Sequence, residues 1–348
     1  MSKICFPKIY PLLCVVALLS LPLGKFVQGQ SVLLSNLKSL DAPQTESAVA
    51  RSLAATADDP FLKPDTTASS SPRVSSILET ADVDDALLAT PKSISAGSHE
   101  DLDALLWLRT AAEYDALTRQ TYNAAIEKLG EALVDADWNA LDSSELSNSK
   151  TNQPPCVIVD VDETVLDNST FQLELIKSNA EYTPQAWNAF VQRSDSPAVE
   201  GAVEFMAACR ASGVKVFFVT NREASVEAST RRNLIVQGLM TSSDPDRILS
   251  KNEQPSWTSD KTSRRLAVAE KYRILLLIGD DLNDFISAKN LPITERQQLY
   301  LSHKAKWGRS WFVLPNPNYG NWEQATYDYQ NGASINEKRQ LKLKTLGE

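Results

Sequence analysis

Histidine is almost absent from this 348-residue chain, which carries only His99 and His303. Two imidazoles are too few for a histidine-based metal cluster or for a phosphohistidine mechanism. The chain also has no basic run, and its formal net charge is −9 at pH 7. That balance argues against a face built to grip a nucleic-acid polymer. A small phosphorylated substrate stays compatible, because the charge near a bound metal outweighs the global sum. Cysteine is scarce as well. Cys156 and Cys209 fall in apolar segments and read as core thiols, with a disulfide between them as the alternative. Residues 30–98 hold a single aromatic, Phe61, among Ser, Thr, Ala and Asp. So few large apolar groups cannot offset the entropy of ordering, and a mostly disordered linker is expected there. No internal repeat is visible.

Lys3 and Lys8 precede an apolar stretch over 9–23, with small residues near Val27-Gln28-Gly29. This is an export-signal pattern over 1–29, with cleavage expected before Gln30 and loss of Cys5 and Cys14. The stretch is shorter than the roughly 20 apolar residues of a spanning helix. The expectation is an exported protein, periplasmic or secreted, without a stable membrane anchor. Leu13 stands where a small residue would precede a lipid-bearing Cys14, which excludes a lipoprotein.

Order is expected to begin near His99. Leu102, Leu105, Leu106, Leu108, Ala112, Leu117, Tyr122, Ile126, Leu129 and Leu133 recur at helical spacing, so one or two helices should cover 101–134. Pro154-Pro155 blocks further helix. From Cys156 onward strands and helices alternate, the pattern of an α/β, doubly wound (Rossmann-like) parallel sheet with helices on both faces. Strands are expected over 156–161, 215–219, 247–249, 274–278 and 311–314. Helices are expected over 199–211, 224–237 and 261–271 and after Asn283, with a helical insertion over 170–193. The main domain is 99–335, followed by a polar tail over 336–348.

Three of these strands end alike. Cys156-Val157-Ile158-Val159 runs into Asp160 and Asp162, and Val216-Phe217-Phe218-Val219 into Thr220-Asn221-Arg222. Leu275-Leu276-Leu277-Ile278 runs into Gly279-Asp280-Asp281-Leu282-Asn283-Asp284. Taken alone, Asp160-Val161-Asp162 is as well explained by a strand-to-turn junction, where Asp suits the turn. Parallel strands deliver their carboxyl ends to one edge, however, so these polar groups should converge. Lys261, at the start of a helix, adds a cation. Acids, a hydroxyl and a lysine at one edge form a site for magnesium and phosphate. Asp160 is the expected nucleophile, and Mg²⁺ suits the all-oxygen set of Asp160, the Asp162 carbonyl and Asp280. Thr220, Asn221 and Lys261 are the expected phosphate-binding group. Asp162 can protonate the leaving oxygen and later activate water. Asp284 is expected to orient Lys261 or a metal-bound water, and Asp281 to be a solvated neighbour.

With these motifs the chain resembles the class B/C acid phosphatases of the haloacid dehalogenase (HAD) superfamily. The resemblance is to bacterial secreted or lipoprotein acid phosphatase/5′-nucleotidases. It extends to Thr110-Ala111-Ala112-Glu113-Tyr114, similar to the family's amino-terminal helix. It also takes in Val313-Leu314-Pro315-Asn316-Pro317 with Tyr319-Gly320 and Trp322-Glu323, similar to its carboxyl-terminal signature. The resemblance implies a Mg²⁺-dependent phosphomonoesterase with an acidic optimum, acting on nucleotides and other small phosphate esters. It also implies that the helical insertion caps the site and that aromatic residues sandwich the leaving group. Trp187, Trp307 and Tyr319 are candidates, with packing anchors as the competing reading. The family's lipid-attachment cysteine is missing here, and the linker over 30–98 is atypical of it. Two alternatives in function stand beside hydrolysis. One is phosphotransfer to alcohol acceptors, and the other is a non-catalytic binding or storage protein on the same scaffold, which would be expected to lack the nucleophile.

Overall fold

Strand β1 (Pro155–Val159) is buried along almost its whole length and lies in the middle of a five-stranded parallel sheet. The computed structural model describes residues 101–145 and 153–347. The expected export signal and linker lie outside the described residues. So do His99, Cys5 and Cys14. Among the described residues no helix is long and apolar enough to cross a membrane.

The remaining strands are β2 (Lys215–Glu223), β3 (Ile248–Lys251), β4 (Arg273–Gly279) and β5 (Trp311–Val313), in the order β3-β2-β1-β4-β5. The chain therefore builds outward from β1 to β3, then returns to the other side of β1 for β4 and β5. That reversal puts a topological switch between β1 and β4, where open α/β sheets form a crevice at the strand ends. β4 is buried at all seven positions, as expected for a strand covered on both faces.

Alternation along the strands divides the core in two. Val157, Val159, Leu276 and Ile278 face one layer with Tyr122, Leu129 and Phe205. Cys156, Ile158 and Leu277 face the other with Trp257, Phe285 and Trp311. Both core cysteines are free and buried. Helices α1 (Leu102–Thr110) and α2 (Ala112–Val134) come first, and α2 packs on α5 (Ala202–Ala211). Between β1 and α5 the chain inserts α3 (Ser169–Ser178) and α4 (Pro184–Arg193), the expected helical insertion. These pair through Phe171, Leu175, Phe190 and Val191. Further on lie α6 (Glu227–Val236), α7 (Thr262–Ala269), α8 (Ile293–Ser302), α9 (Asn321–Thr326) and α10 (Ile335–Thr345). The polar stretch at the carboxyl end thus contributes α10, whose start is closed by a Ser334–Glu337 capping box.

The helix expected after Asn283 is α8, set back from the end of β4. A single 3₁₀ turn, Leu282–Asp284, stands there, and α8 starts only at Ile293. Asp281 caps that turn, and Pro292 disfavours helical backbone at the residue before it.

Two tethers bind the amino-terminal helices to the sheet and its loops. The Tyr122 hydroxyl donates to the Thr164 carbonyl at 2.6 Å, and Trp138 Nε1 to the Leu275 carbonyl at 2.8 Å. Farther along, Glu145 pairs with wholly buried Arg265 through both carboxylate oxygens, at 2.6 and 3.1 Å. Removing one member of such a pair strands the other charge in the interior. Glu145→Ala is therefore expected to cost about 3–5 kcal/mol of stability, measured by urea unfolding.

Candidate active site

Asp160 leaves the sheet at the end of β1, with its backbone N–H bonded to the Ile278 carbonyl of β4 at 2.9 Å. Its side chain therefore opens into the crevice between the two central strands. Asp280 follows β4 directly, and the Leu282–Asp284 turn returns Asp284 to the same place. Carboxylate oxygens of Asp160, Asp280 and Asp284 all lie within 4.8 Å of one another. Gly279 makes that return possible. A Cβ there would overlap the Asp284 side chain, so only glycine lets the carboxylate fold back against the strand.

Lys261 is the N-cap residue of α7 and is almost fully buried. Its Nζ donates to Asp160 Oδ1 and, at 2.5 Å, to Asp284 Oδ1. Burial alone would lower the lysine's pKa, but the Asp160 and Asp284 carboxylates outweigh it and hold the ammonium protonated. Burial pushes Asp160 up while Lys261 opposes it. Asp284 is pushed up to about 6 by burial, with Lys261 again opposing. Asp280 rises well above the carboxylate range through burial and its neighbours Asp160 and Asp284. One ammonium thus sits by a cluster of three carboxylates, two of them buried and Asp280 half-buried, and negative charge is left over. The donor set is all oxygen, compact and anionic. It fits a hard divalent cation.

Asp162 points to a second group. Its Oδ1 accepts from Arg222 Nε at 2.9 Å and from Asn168 Nδ2 at 2.9 Å, and lies 2.8 Å from Arg222 Nη2 as an ion pair. The Asp162 carboxylate is not among the three that cluster at the Lys261 ammonium. Arg222 itself lies 5.7 Å from the Trp187 ring of α4, so the guanidinium spans from the first loop to the inserted helices. Thr220 is wholly buried, and its hydroxyl accepts from the Arg222 N–H at 3.1 Å. The Asn221 amide is engaged at both ends, by Arg264 at 2.7 Å and the Ser259 carbonyl at 3.2 Å. It braces the loop rather than facing the carboxylates.

Five residues make contacts that the sequence reading does not assign, Tyr319 among them, which entered there only as an aromatic candidate. Arg222 and Asn168 hold Asp162. Asn316 donates to Asp280 Oδ2 at 2.8 Å. Buried Glu163, in a left-handed backbone with φ 53°, accepts from the Asn168 N–H at 3.0 Å and from the Tyr319 hydroxyl. All five stand inside the quoted motifs, but only their three-dimensional partners reveal what they do. Lys251, at the end of β3, pairs with Glu223 at 2.8 Å. Asp281 is no solvated neighbour. Its carboxylate accepts from the Asn283 N–H at 2.9 Å and from Asn321 at 3.0 Å, so it joins the turn to α9.

Of the aromatic candidates, Trp307 packs against Phe285 and Trp311 at 4.9 and 5.2 Å. Trp187 stacks on Phe190 at 5.6 Å within the cap. Tyr319 alone of the three hydrogen-bonds into the 160–168 loop. A cavity of about 480 Å³ lies between α3 and α4, lined by Phe171, Leu175, Ala186 and Phe190 and by none of the site carboxylates.

Residues 99–322 match the HAD superfamily, subfamily IIIB (acid phosphatase). The class C acid phosphatase from Bacillus anthracis has been solved, and also solved with tungstate bound. Each structure is 31% identical to this chain with a TM-score of 0.63, and the match covers 72% of this chain and 97% of that one. The chain belongs to the subfamily IIIB acid phosphatases of the HAD superfamily. It is a phosphomonoester hydrolase, and its substrates are small phosphate esters.

Gly279→Ala tests how closely Asp284 must be held. Displacing that carboxylate by about an ångström is expected to lower phosphatase activity on the order of 10²-fold, with the far-ultraviolet spectrum of the fold unchanged.

Proposed function

We propose that this acid phosphatase is Mg²⁺-dependent and hydrolyses small phosphomonoesters, nucleoside monophosphates among them, through an aspartyl phosphate on Asp160. The observation that carries the reading is the convergence of Asp160, Asp280, Asp284 and Lys261 at the β1/β4 crevice. Asp162 stands two residues along the same loop. The tungstate held by the Bacillus anthracis enzyme supports an oxyanion site in this family, since it is a tetrahedral anion of phosphate's shape.

Asp160, Asp280 and Asp284 would hold the cation. Mg²⁺ bound there supplies the positive charge that lets an anionic nucleophile meet an anionic ester. Lys261 keeps Asp160 ionised and aimed, and with Thr220 it offers donors to the transferring oxygens. Asp160 attacks phosphorus, and the ester P–O bond breaks with its electron pair on the leaving oxygen. The proton of Asp162 moves to that oxygen and the alcohol departs. In the second step water bonds to phosphorus and gives a proton to Asp162. The bond to Asp160 breaks, releasing phosphate and restoring the carboxylate.

Asp160→Asn removes the attacking oxygen and is expected to abolish Mg²⁺-dependent phosphate release from p-nitrophenyl phosphate at mildly acid pH. Appreciable residual turnover in that variant sinks the assignment. A panel of nucleoside monophosphates, sugar phosphates and aryl phosphates ranks the substrates by kcat/KM.

The cation reading has its own pH signature. Asp284 titrates at about 6 in the fold against 3.8 when exposed. The metal-free protein therefore takes up protons on folding in that window, and its stability falls as pH rises through it. A cation competes with those protons, so stabilisation by Mg²⁺ should grow from pH 4 to 7. At a hundredfold excess over Kd the rise in Tm at pH 7 is expected to be on the order of 5–10 °C. Thermal melts with and without MgCl₂ across that range check it.

A further inference from the structure

Asparagine is among the best helix N-caps, and Asn168 occupies the N-cap of α3, yet its side chain makes no capping bond. The neighbouring Asp167 serves the first turn instead, accepting from the Ser169 N–H at 2.7 Å. The Asn168 amide is turned inward and wholly buried. Its Nδ2 donates to Asp162 Oδ1 at 2.9 Å, while its Oδ1 accepts from Arg222 at 3.2 Å and from Ser196 Oγ at 2.8 Å. Those two acceptor contacts fix which end of the amide faces the carboxylate.

The consequence falls on Asp162. Two donors, Arg222 Nε and Asn168 Nδ2, meet on Oδ1, and no donor among the described residues reaches Oδ2. A guanidinium facing a carboxylate ordinarily engages both oxygens through its planar fork. Here the amide occupies a position on Oδ1 and takes the Nη2 donor onto its own oxygen, so the guanidinium meets the carboxylate at Oδ1 alone. A proton on Asp162 must then sit on Oδ2.

We propose that Asn168 is a positioning residue for the reaction, assigning the proton transfer to Oδ2 of Asp162 by keeping Arg222 on Oδ1. This rests on the acid/base reading of Asp162 given above. The proton concerned passes from Oδ2 to the ester oxygen as the P–O bond breaks. A good leaving group departs without it, whereas an alkoxide does not. The readout is therefore kcat/KM for p-nitrophenyl phosphate, which loses a stabilised phenolate, against glycerol phosphate, which loses an alkoxide.

Asn168→Asp keeps the shape and the acceptor for Arg222 and Ser196 but removes the donor to Asp162. It is expected to lower kcat/KM for glycerol phosphate about 10²-fold and that for p-nitrophenyl phosphate far less. Asp162→Asn should show the same bias, at least as strongly. Ser196→Ala, a milder change that frees the amide, should show it weakly and covers the case in which Asn168→Asp does not fold. Mg²⁺ affinity by calorimetry should stay within a few-fold in Asn168→Asp. Equal losses on both esters in the Asn168 and Ser196 variants, with the bias present in Asp162→Asn, overturn the positioning role alone. Absence of the bias in Asp162→Asn overturns it together with the acid/base reading.

Discussion

One buried ammonium, Lys261, stands between Asp160 and Asp284, with Asp280 a few ångströms away. A single positive charge cannot balance three carboxylates in a low-dielectric crevice, where burial first, and then Asp160 and Asp284, push Asp280 well above the carboxylate range. The rest of the site follows from that surplus. It makes the cluster fit a cation, and it calls for each carboxylate to be restrained against its neighbours. The β3-β2-β1-β4-β5 order supplies the place, because only the β1/β4 boundary brings two strand ends together where the chain reverses direction.

The restraint comes largely from three wholly buried arginines. Arg264 donates to the Thr220 carbonyl, to Thr258 O at 2.7 Å and to the Asn221 side chain. Arg265 reaches the carbonyls of Asn283 and Asp284 at 3.0 and 3.4 Å while paired with Glu145. Arg222 closes on Asp162. Each guanidinium therefore fastens one of the loops that leave β1, β2 and β4. A lysine offers three donors on a single nitrogen and could not span carbonyls of separate segments in this way. Burial lowers Arg264 to about 10, which still leaves it charged at any pH where an acid phosphatase works.

The sheet and the carboxylate cluster were legible in the sequence because both are local signals. Four apolar residues before Asp160 and four before Gly279 mark buried strands, and the parallel pattern itself delivers Asp160, Thr220 and Asp280 to one edge. Lys261 was legible from its place at a helix start. What was not legible is pairing across distance. Tyr319 meets Glu163 and Asn316 meets Asp280 only because the segment after β5 folds back over the strand ends. No periodicity encodes that return. Asp281 was misjudged for the same reason, since its partner Asn321 lies forty residues on. The helix expected after Asn283 is present as α8, and its late start follows from a capped 3₁₀ turn at Leu282–Asp284 and from Pro292.

The loop from Asp160 to Asn168 breaks two local preferences within nine residues, and both breaks serve the same carboxylates. Glu163 holds a left-handed backbone that costs an L-residue about 1–2 kcal/mol, and Asn168 leaves α3 without its side-chain cap. Isolated, such a loop would relax toward ordinary turn geometry. It is kept by contacts from outside itself: the Tyr122 hydroxyl on the Thr164 carbonyl from α2, and the Tyr319 hydroxyl on Glu163 from beyond β5. Both tethering residues lie within the family match, which runs from residue 99, before the first strand, to 322, past the last one. The chemistry needs the crevice, but the crevice needs the flanking segments to hold its most strained loop in place.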